Sequence, residues 1–325
     1  MLDEGYYEKR RKIMADYLDD LAKMGCRFEQ FDLRHRDVYL KYEPETEISC
    51  RSLLSQYAYA QEDHIYCMED REENCLFLLF LNAQNLLCAY PPLLCGYSPE
   101  RFSAAVEVFR GIFEKLNLPM RFEYVSTTET EWFRNLSRQT VIIDPPEEMD
   151  YIFEFEALRD FEGSHNSNRR RKYRYFLRHH QVTAEPICAE NLKECSSVLT
   201  QWCILRQCGD CGYRCPKRIS ERVLAHLSEL DGFGYLIRVD GCAQTVILLG
   251  RMSPDMLDVI TFCSISRETG ADETSYALVA DEVLPAYTYM NLEEDMGIER
   301  LRRHKQSMHP SRMQPKYIVL FPQHE

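Results

Sequence analysis

The 325-residue chain has no apolar run approaching the roughly 18 residues of a membrane span. Its longest candidates, Leu76 to Leu81 and Thr245 to Leu249, are only strand-sized. The first residues, Met1-Leu-Asp-Glu-Gly, offer neither a basic lead-in nor an apolar stretch, so a cleaved export signal is not expected. Positive charge is also short: 39 Lys and Arg stand against 52 Asp and Glu, a net charge of −13. That balance argues against nucleic-acid binding spread over the whole surface. Disorder is excluded as a general description by 45% hydrophobic and 12% aromatic residues, enough for a packed core. These absences lead to the expectation of a cytoplasmic protein with no integral membrane association.

The length suggests two domains of about 150 residues each. Fourteen cysteines without an export signal read as reduced thiols, most of them small core residues. One group, Cys203, Cys208, Cys211 and Cys215, has knuckle-like spacing that could hold zinc. Loop and core thiols are the preferred reading, with no metal. Basic residues are unevenly placed: Arg169, Arg170, Arg171, Lys172, Arg174 and Arg178 form one patch, and Arg300, Arg302, Arg303, Lys305, Arg312 and Lys316 a second. An acidic body with two basic patches points to a localised anionic ligand.

Along the chain, Tyr6 to Met24 reads as an amphipathic helix, set apart as residues 1–26. Short apolar segments follow near Phe28 to Leu33, at His64 to Met68, Cys75 to Leu81 and Asn85 to Tyr90, with a short helix at Arg51 to Tyr59. Ser98-Pro99-Glu100 supplies an N-cap, a proline at the first helical position and an acidic first turn. The helix it starts should bury Phe102, Val106, Phe109, Phe113 and Leu116. Strand Arg121 to Val125, a helix near Thr128 to Leu136 and strand Thr140 to Ile143 complete a first domain over 27–149.

The second half, 150–325, repeats that order without repeating the sequence. Helices are expected at Asn191 to Leu205 and Pro216 to Leu230, and Asp240-Gly241 marks a hairpin between Tyr235 to Val239 and Cys242 to Leu249. Leu257 to Ser264 gives a third strand, and Asp272 should cap a helix burying Tyr276, Ala280, Val283, Leu284 and Tyr287. Strand Tyr289 to Glu293, a short helix from Ile298 and strand Lys316 to Phe321 close the domain. The order is that of the acetyltransferase-type (GNAT) fold, so the expected class is α+β, with two tandem GNAT domains.

Two stretches carry a family resemblance. The run Leu301-Arg302-Arg303-His304-Lys305 to Pro310, followed by Gln314-Pro315-Lys316-Tyr317, is similar to the ending of bacterial phosphatidylglycerol lysyltransferases and of an uncharacterised family grouped with them. Asn291, Glu293, Asp295 and Gly297 match that second family's Asn-x-Glu-x-Asp-x-Gly, and Gly163 through Arg170 to Phe176 resembles its basic helix. The resemblance implies an acyltransferase that moves an aminoacyl group from aminoacyl-tRNA to a hydroxyl or amine acceptor, a small molecule or a lipid headgroup. Two alternatives stay open: a non-catalytic module that binds a phosphorylated ligand, and an acyl-CoA-dependent N-acetyltransferase.

Such a transfer needs cations for phosphates, a donor for the developing oxyanion and a group to receive the acceptor's proton. Arg169, Arg170 and Tyr173 on the basic helix are candidate substrate contacts, against the alternative of a solvated helix face. Arg302 and Lys305, three apart, could offer both cations to one anion. The resemblance makes Lys305 the first choice for a ligand phosphate or carboxylate contact, and salt bridges to Glu293 or Asp295 are the competing reading. Strand alternation would put Glu293 and Asp295 on one face, where the pair could serve as base or orient Lys305. Asn291 and Lys316 complete the substrate-contacting set, and His304 and His309 are weaker candidates for the base. No resident cofactor is expected, with aminoacyl-tRNA or acyl-CoA as co-substrate. Arg267-Glu268-Thr269-Gly270-Ala271-Asp272 matches most of an acyl-CoA pyrophosphate loop but ends in an acid where phosphate would sit.

Overall fold

In the computed structural model, which describes residues 4–43, 45–136, 140–207 and 215–321, the chain divides into two compact units. One is Met1–Met149 with Pro315–Glu325, the other Asp150–Gln314. The first unit holds helices α1 (Glu4–Lys23), α2 (Arg36–Tyr42), α3 (Leu53–Tyr59), α4 (Pro99–Lys115) and α5 (Thr127–Leu136). Its strands before residue 150 are β1 (Glu29–Gln30), β2 (Tyr66–Asp70), β3 (Cys75–Leu81), β4 (Leu87–Ala89), β5 (Leu93–Leu94), β6 (Met120–Val125) and β7 (Val141–Ile143). The second unit runs β8 (Asp150–Glu154), α6 (Phe155–Asp160), α7 (Ser167–His179), β9 (Val182–Pro186), α8 (Leu192–Leu205) and α9 (Pro216–Ala225). It continues through β10 (Gly232–Val239), β11 (Cys242–Arg251), β12 (Met256–Ser264), α10 (Ala271–Val283), β13 (Tyr289–Asn291), α11 (Glu299–Gln306) and β14 (Arg312–Gln314). The last strand, β15 (Tyr317–Phe321), belongs to the first unit.

Each unit has one mixed sheet, and the strand orders correspond: β1-β2-β3-β4-β6-β15-β7 in the first, with β5 on β3, and β9-β10-β11-β12-β13-β8-β14, read from its other edge, in the second. Among the described residues both contain a single parallel pair, β4 with β6 and β12 with β13, and each pair is joined by a helix, α4 or α10. This is the tandem GNAT-like arrangement expected from the element order. The expected placement of the C-terminal strand is corrected. Tyr317–Phe321 does not close the second domain but pairs antiparallel with β6 and β7, while β8 takes the matching place between β13 and β14. A strand is held by its ladder partners, which may be remote in sequence, so contiguity along the chain gave the wrong sheet.

Local signals account for the elements that position the core. Ser98 Oγ accepts from the Arg101 amide (3.2 Å), Pro99 follows it, and α4 buries Phe102, Val106, Phe109 and Phe113. Phe109 meets Phe77 and Phe122 edge-on at centroid separations of 5.0 and 5.2 Å, Phe102 meets Phe133 edge-on at 5.0 Å, and Phe122 and Phe133 lie tilted at 4.8 Å. A fully buried ring of this kind contributes about 1.5–3 kcal/mol, so Phe122→Ala would cost several times that of a surface change. Asp240 and Gly241 have φ of 50° and 80°, the pair of positive values a tight hairpin turn requires, and they join β10 to β11. Helix α10 departs from expectation at its start. The N-cap position is Gly270, at φ 102°, with no side-chain cap, and Asp272 lies inside the first turn. A Cβ on Gly270 would lie 2.4 Å from the Lys172 carbonyl oxygen and 2.9 Å from Phe176 Cβ. The glycine is therefore what lets α7 pack against the start of α10.

Candidate functional site

The start of α10 forms one wall of a cavity of about 300 Å³ in the second unit. Arg169 and Lys172 enter from α7, Arg267 from the loop after β12, and His304 and Ser307 from the end of α11. Asp272 and Glu273, the acidic first turn of α10, line the same space. Arg169 is largely withdrawn from solvent and donates from Nε to the Ser307 carbonyl oxygen (3.1 Å) and from Nη2 to Ser307 Oγ (2.7 Å). Buried Glu273 sits between two cations, with Lys172 Nζ at 3.1 Å and Arg169 Nη1 at 3.6 Å.

Titration in the cavity follows from this crowding. Burial, more than the countervailing pull of Glu273, lowers the Arg169 guanidinium. Burial raises the Asp272 carboxyl even though His304 and Ser264 work against it. His304 is lowered from its ordinary value, first by the protein around it and then by the Arg169 cation, while Asp272 and Glu273 partly oppose the shift. A neutral imidazole next to cations can take a proton.

A second cavity of about 370 Å³ shares Ser266 and Arg267 with the first and is further lined by Arg206, Arg300, Ser264, Ile265 and Leu205. Arg206 is the C-cap residue of α8, and Arg300 lies in the first turn of α11.

The residues marked by the C-terminal motif go elsewhere. Lys305 is 7% exposed, and its Nζ donates to three backbone carbonyls, Leu292 O (2.6 Å), Glu293 O (3.2 Å) and Glu294 O (2.6 Å). Arg302 makes a two-pronged contact with Asp295, Nε to Oδ2 and Nη2 to Oδ1, each 2.9 Å. The two cations thus do not converge on one anion. Asp295 also accepts from Tyr151 Oη (2.7 Å) and the Gly297 amide (2.9 Å). Burial would raise its carboxyl, but Arg302, Tyr151 and that amide outweigh it and hold it below its usual range. The expected strand face shared by Glu293 and Asp295 is absent. Strand β13 ends at Asn291, and Glu293 takes φ 58°, which breaks the alternation. Glu293 is raised well above the carboxylate range by burial and then by Asp258, while Asp295 is lowered, so the two are not a matched pair.

Other positions are structural in their contacts. Asn291 is fully buried, donates to Asp150 Oδ2 (3.0 Å) and accepts from the Glu293 amide (2.7 Å). Arg170 holds the turn before α7 through Phe161 O (2.6 Å) and Gly163 O (3.1 Å). Tyr173 packs on the core beside Phe161, at 5.8 Å between centroids. Lys316 belongs to the first unit, where its Nζ lies 3.6 Å from Cys50 Sγ. Of the cysteine cluster, Cys208 and Cys211 lie outside the described residues. Among the described residues no group of three or more His, Cys, Asp or Glu is suited to a metal ion.

The sequence profile of the phosphatidylglycerol lysyltransferase C-terminal family matches residues 49–320. The chain belongs to that family. A conserved protein of unknown function from Bacteroides thetaiotaomicron VPI-5482 has a similar structure, with a TM-score of 0.82 at 18% identity over 91% of this chain and 99% of that one. L-PGS from Bacillus licheniformis gives a TM-score of 0.62 at 11% identity, covering 90% of this chain and 92% of its own. FemX gives 0.59 at 12% identity, covering 90% and 96%. No curated protein matches the chain. The profile match establishes the family, and the structural likenesses establish the fold. Among the described residues no helix is long and apolar enough to cross a membrane.

Within this family member, Arg169 alone of the nine predicted site residues lines the α10 cavity. His304, rated below Lys305 from sequence, is there too, and so is Lys172. Arg206, Arg267 and Arg300 were missed as a group because they come from three separate elements with no common spacing. The incomplete pyrophosphate-like loop at Arg267 to Asp272 falls at this place, as do Arg169 and Lys172 of the first basic patch and Arg300 of the second.

Proposed function

We propose that the chain is an aminoacyltransferase that takes an aminoacyl group from an aminoacyl-tRNA ester and passes it to a hydroxyl or amine acceptor. The observation carrying this reading is the convergence of a depressed histidine, His304, with Arg169, Lys172 and Arg267 opposite the carboxylates Asp272 and Glu273 in one cavity. The acceptor oxygen or nitrogen attacks the ester carbonyl carbon, and the bond from that carbon to the ribose oxygen breaks. Neutral His304 accepts the acceptor's proton and returns it to the leaving ribose oxygen. Arg169 and Arg267 supply positive charge for the oxyanion of the tetrahedral intermediate. Asp272 and Glu273 face the ammonium of the aminoacyl group, a charge that an acetyl thioester lacks.

Acyl-CoA fits this cavity less well. A pyrophosphate at the start of α10 would meet Asp272 and Glu273, and Glu273 already faces Lys172 and Arg169. The description of the family, phosphatidylglycerol lysyltransferase, names the transfer of a lysyl group and supports aminoacyl chemistry over acetyl transfer.

The test is consumption of labelled aminoacyl-tRNA with an amine or hydroxyl acceptor, following ester loss and product together. Wild type should form product, and His304→Gln should form about 100-fold less while still binding the donor. Tight binding by wild type with the ester left intact would instead identify a non-catalytic binding module.

A further inference from the structure

The two adjoining cavities differ in charge in a way that divides a ligand between them. The α10 cavity is mixed, with Glu268, Asp272 and Glu273 against Arg169, Lys172 and Arg267. Glu268 is further engaged by His180, 2.8 Å from Nε2. In the neighbouring cavity, three arginines, Arg206, Arg267 and Arg300, share the lining with the hydroxyls of Ser264 and Ser266, and no carboxylate is among the described lining residues. On a chain of net charge −13, three arginines brought to one cavity from the end of α8, the loop after β12 and the start of α11 give its lining a positive excess, even with Arg206 over the Trp202 ring at 5.8 Å and Asp272 hydrogen-bonded to Ser264 at its margin.

We infer that the Arg206–Arg267–Arg300 cavity is a separate phosphate site that takes the phosphodiester of the donor's terminal nucleotide. The α10 cavity keeps the aminoacyl ester itself. This rests on the aminoacyl-ester reading of the α10 cavity. Planar guanidinium groups match the paired oxygens of a phosphodiester, and serine hydroxyls add donors of the kind that hold phosphate. Arg267 and Ser266 line both cavities, so a phosphate in one lies next to an ester in the other, as the two groups do in a single aminoacylated nucleotide. A phospholipid headgroup carries the same phosphodiester chemistry, but its acyl chains need an apolar trough. Among the described lining residues only Leu205 and Ile265 would serve that purpose.

The experiment compares two small donors, an aminoacylated dinucleotide with its internal phosphodiester and an aminoacylated nucleoside without one. Wild type should prefer the dinucleotide by about tenfold or more in kcat/KM, the worth of one charge-assisted phosphate contact. In the paired variant Arg206→Gln, Arg300→Gln that preference should fall towards parity, and Arg206→Lys, Arg300→Lys should give an intermediate ratio, because charge is kept while the two-pronged geometry is lost. A preference that survives the paired glutamine variant overturns the inference. So does a variant whose defect appears only in KM for glycerophosphoglycerol as acceptor, which would assign the site to a lipid headgroup. A parallel binding titration separates this inference from the proposed function. If wild type binds the dinucleotide about tenfold more tightly than the paired variant but neither consumes ester, the phosphate site stands and the transferase reading falls. Equal binding by both, with or without turnover, overturns the phosphate site.

Discussion

Around residues 291–305 the charged groups of the second unit have been given protein partners: Lys305 faces three carbonyls, and Arg302 and Tyr151 share Asp295. Around residues 264–273, in the same unit, charges line two cavities, and the close internal contacts are those of Glu273 with Lys172 and Arg169 and of Glu268 with His180. The motif dense enough to reveal the family is largely a folding device. It ties the loop after β13 to α11, and α11 in turn presents His304 to the cavity. In the proposed function, chemistry falls to residues whose sequence signal is weaker. A buried cation with complete hydrogen bonding stabilises a loop, whereas a cation at a cavity wall retains the capacity to bind.

The largest expected effect breaks the first region. Lys305→Ala leaves three buried or half-buried carbonyls without their charged donor and should destabilise the fold by about 3 kcal/mol or more. Urea unfolding monitored by far-UV circular dichroism measures this. At temperatures where both proteins are folded, Arg267→Ala should weaken dinucleotide binding more than Lys305→Ala does. A Lys305→Ala protein of wild-type stability that has lost ligand binding would reverse the assignment of the two regions. Lys305, the preferred ligand contact from sequence, lines neither cavity, whereas Lys172 of the first basic patch lines the α10 cavity.

The next effect belongs to the second region. With His304 as base, activity requires its neutral form, so kcat/KM should rise with pH through a limb lying below the ordinary imidazole value. The groups that set that limb are Arg169 on α7, Asp272 and Glu273 on α10, and Lys305 on α11 itself. Arg169→Gln removes the strongest cationic influence and should move the limb to higher pH as well as reduce the rate. His304→Gln should abolish the limb along with about 100-fold of the rate. A pH–rate profile of unchanged position in Arg169→Gln would exclude His304 as the titrating base.

A smaller effect tests whether Glu273 keeps the α10 cavity from acting as a general phosphate cradle. Glu273→Gln releases Lys172 and Arg169 from their shared carboxylate and should increase affinity for CoA or pyrophosphate about three- to tenfold at low salt. Removing an acid from the first turn of α10 costs about 0.5 kcal/mol of helix stabilisation at the same time. Thermal melting follows the second change, and isothermal titration the first. Unaltered CoA binding would mean that something other than this carboxylate governs anion selection at the start of α10.

How much of this was legible depends on the range of the interaction involved. Ser98-Pro99-Glu100 starts α4 and Asp240-Gly241 turns β10 into β11 because caps and turns are decided within four residues. The placement of β8 and β15 in their sheets could not be read, since their partners are chosen across the fold. Helical spacing correctly put residues three apart on one side of α11, but spacing does not say which side turns inward. Lys305 shares its inward side with Met308, which is buried in the core. The Gly270 loop matched most of a pyrophosphate loop in sequence except for its closing acid, and its glycine is required by the close approach of Lys172. A cavity wall assembled from Arg206, Arg267 and Arg300 has no period at all.

The smallest expected effect concerns Glu293, which separates the two regions by pH. Burial, then Asp258 and Glu294, raise its carboxyl well above the ordinary value, with Lys305 opposing them. The folded protein consequently binds this proton more tightly than the unfolded chain does. Stability from Glu293 is fully present below the unfolded carboxyl value and is lost as pH rises through the raised folded one. Asp295 acts in the opposite sense, losing its contribution as pH falls through its lowered value, so the whole protein's curve mixes the two. Glu293→Gln imitates the protonated form and isolates the first of them. The difference in melting temperature between Glu293→Gln and wild type should be near zero in weak acid and should grow in favour of the variant as pH increases towards neutrality and beyond. Donor binding should stay equal in the two proteins throughout, because Glu293 lines neither cavity. A difference that grows towards acid instead would mean that Glu293 is ionised and paired in the fold, and that the 291–305 region keeps a working carboxylate after all.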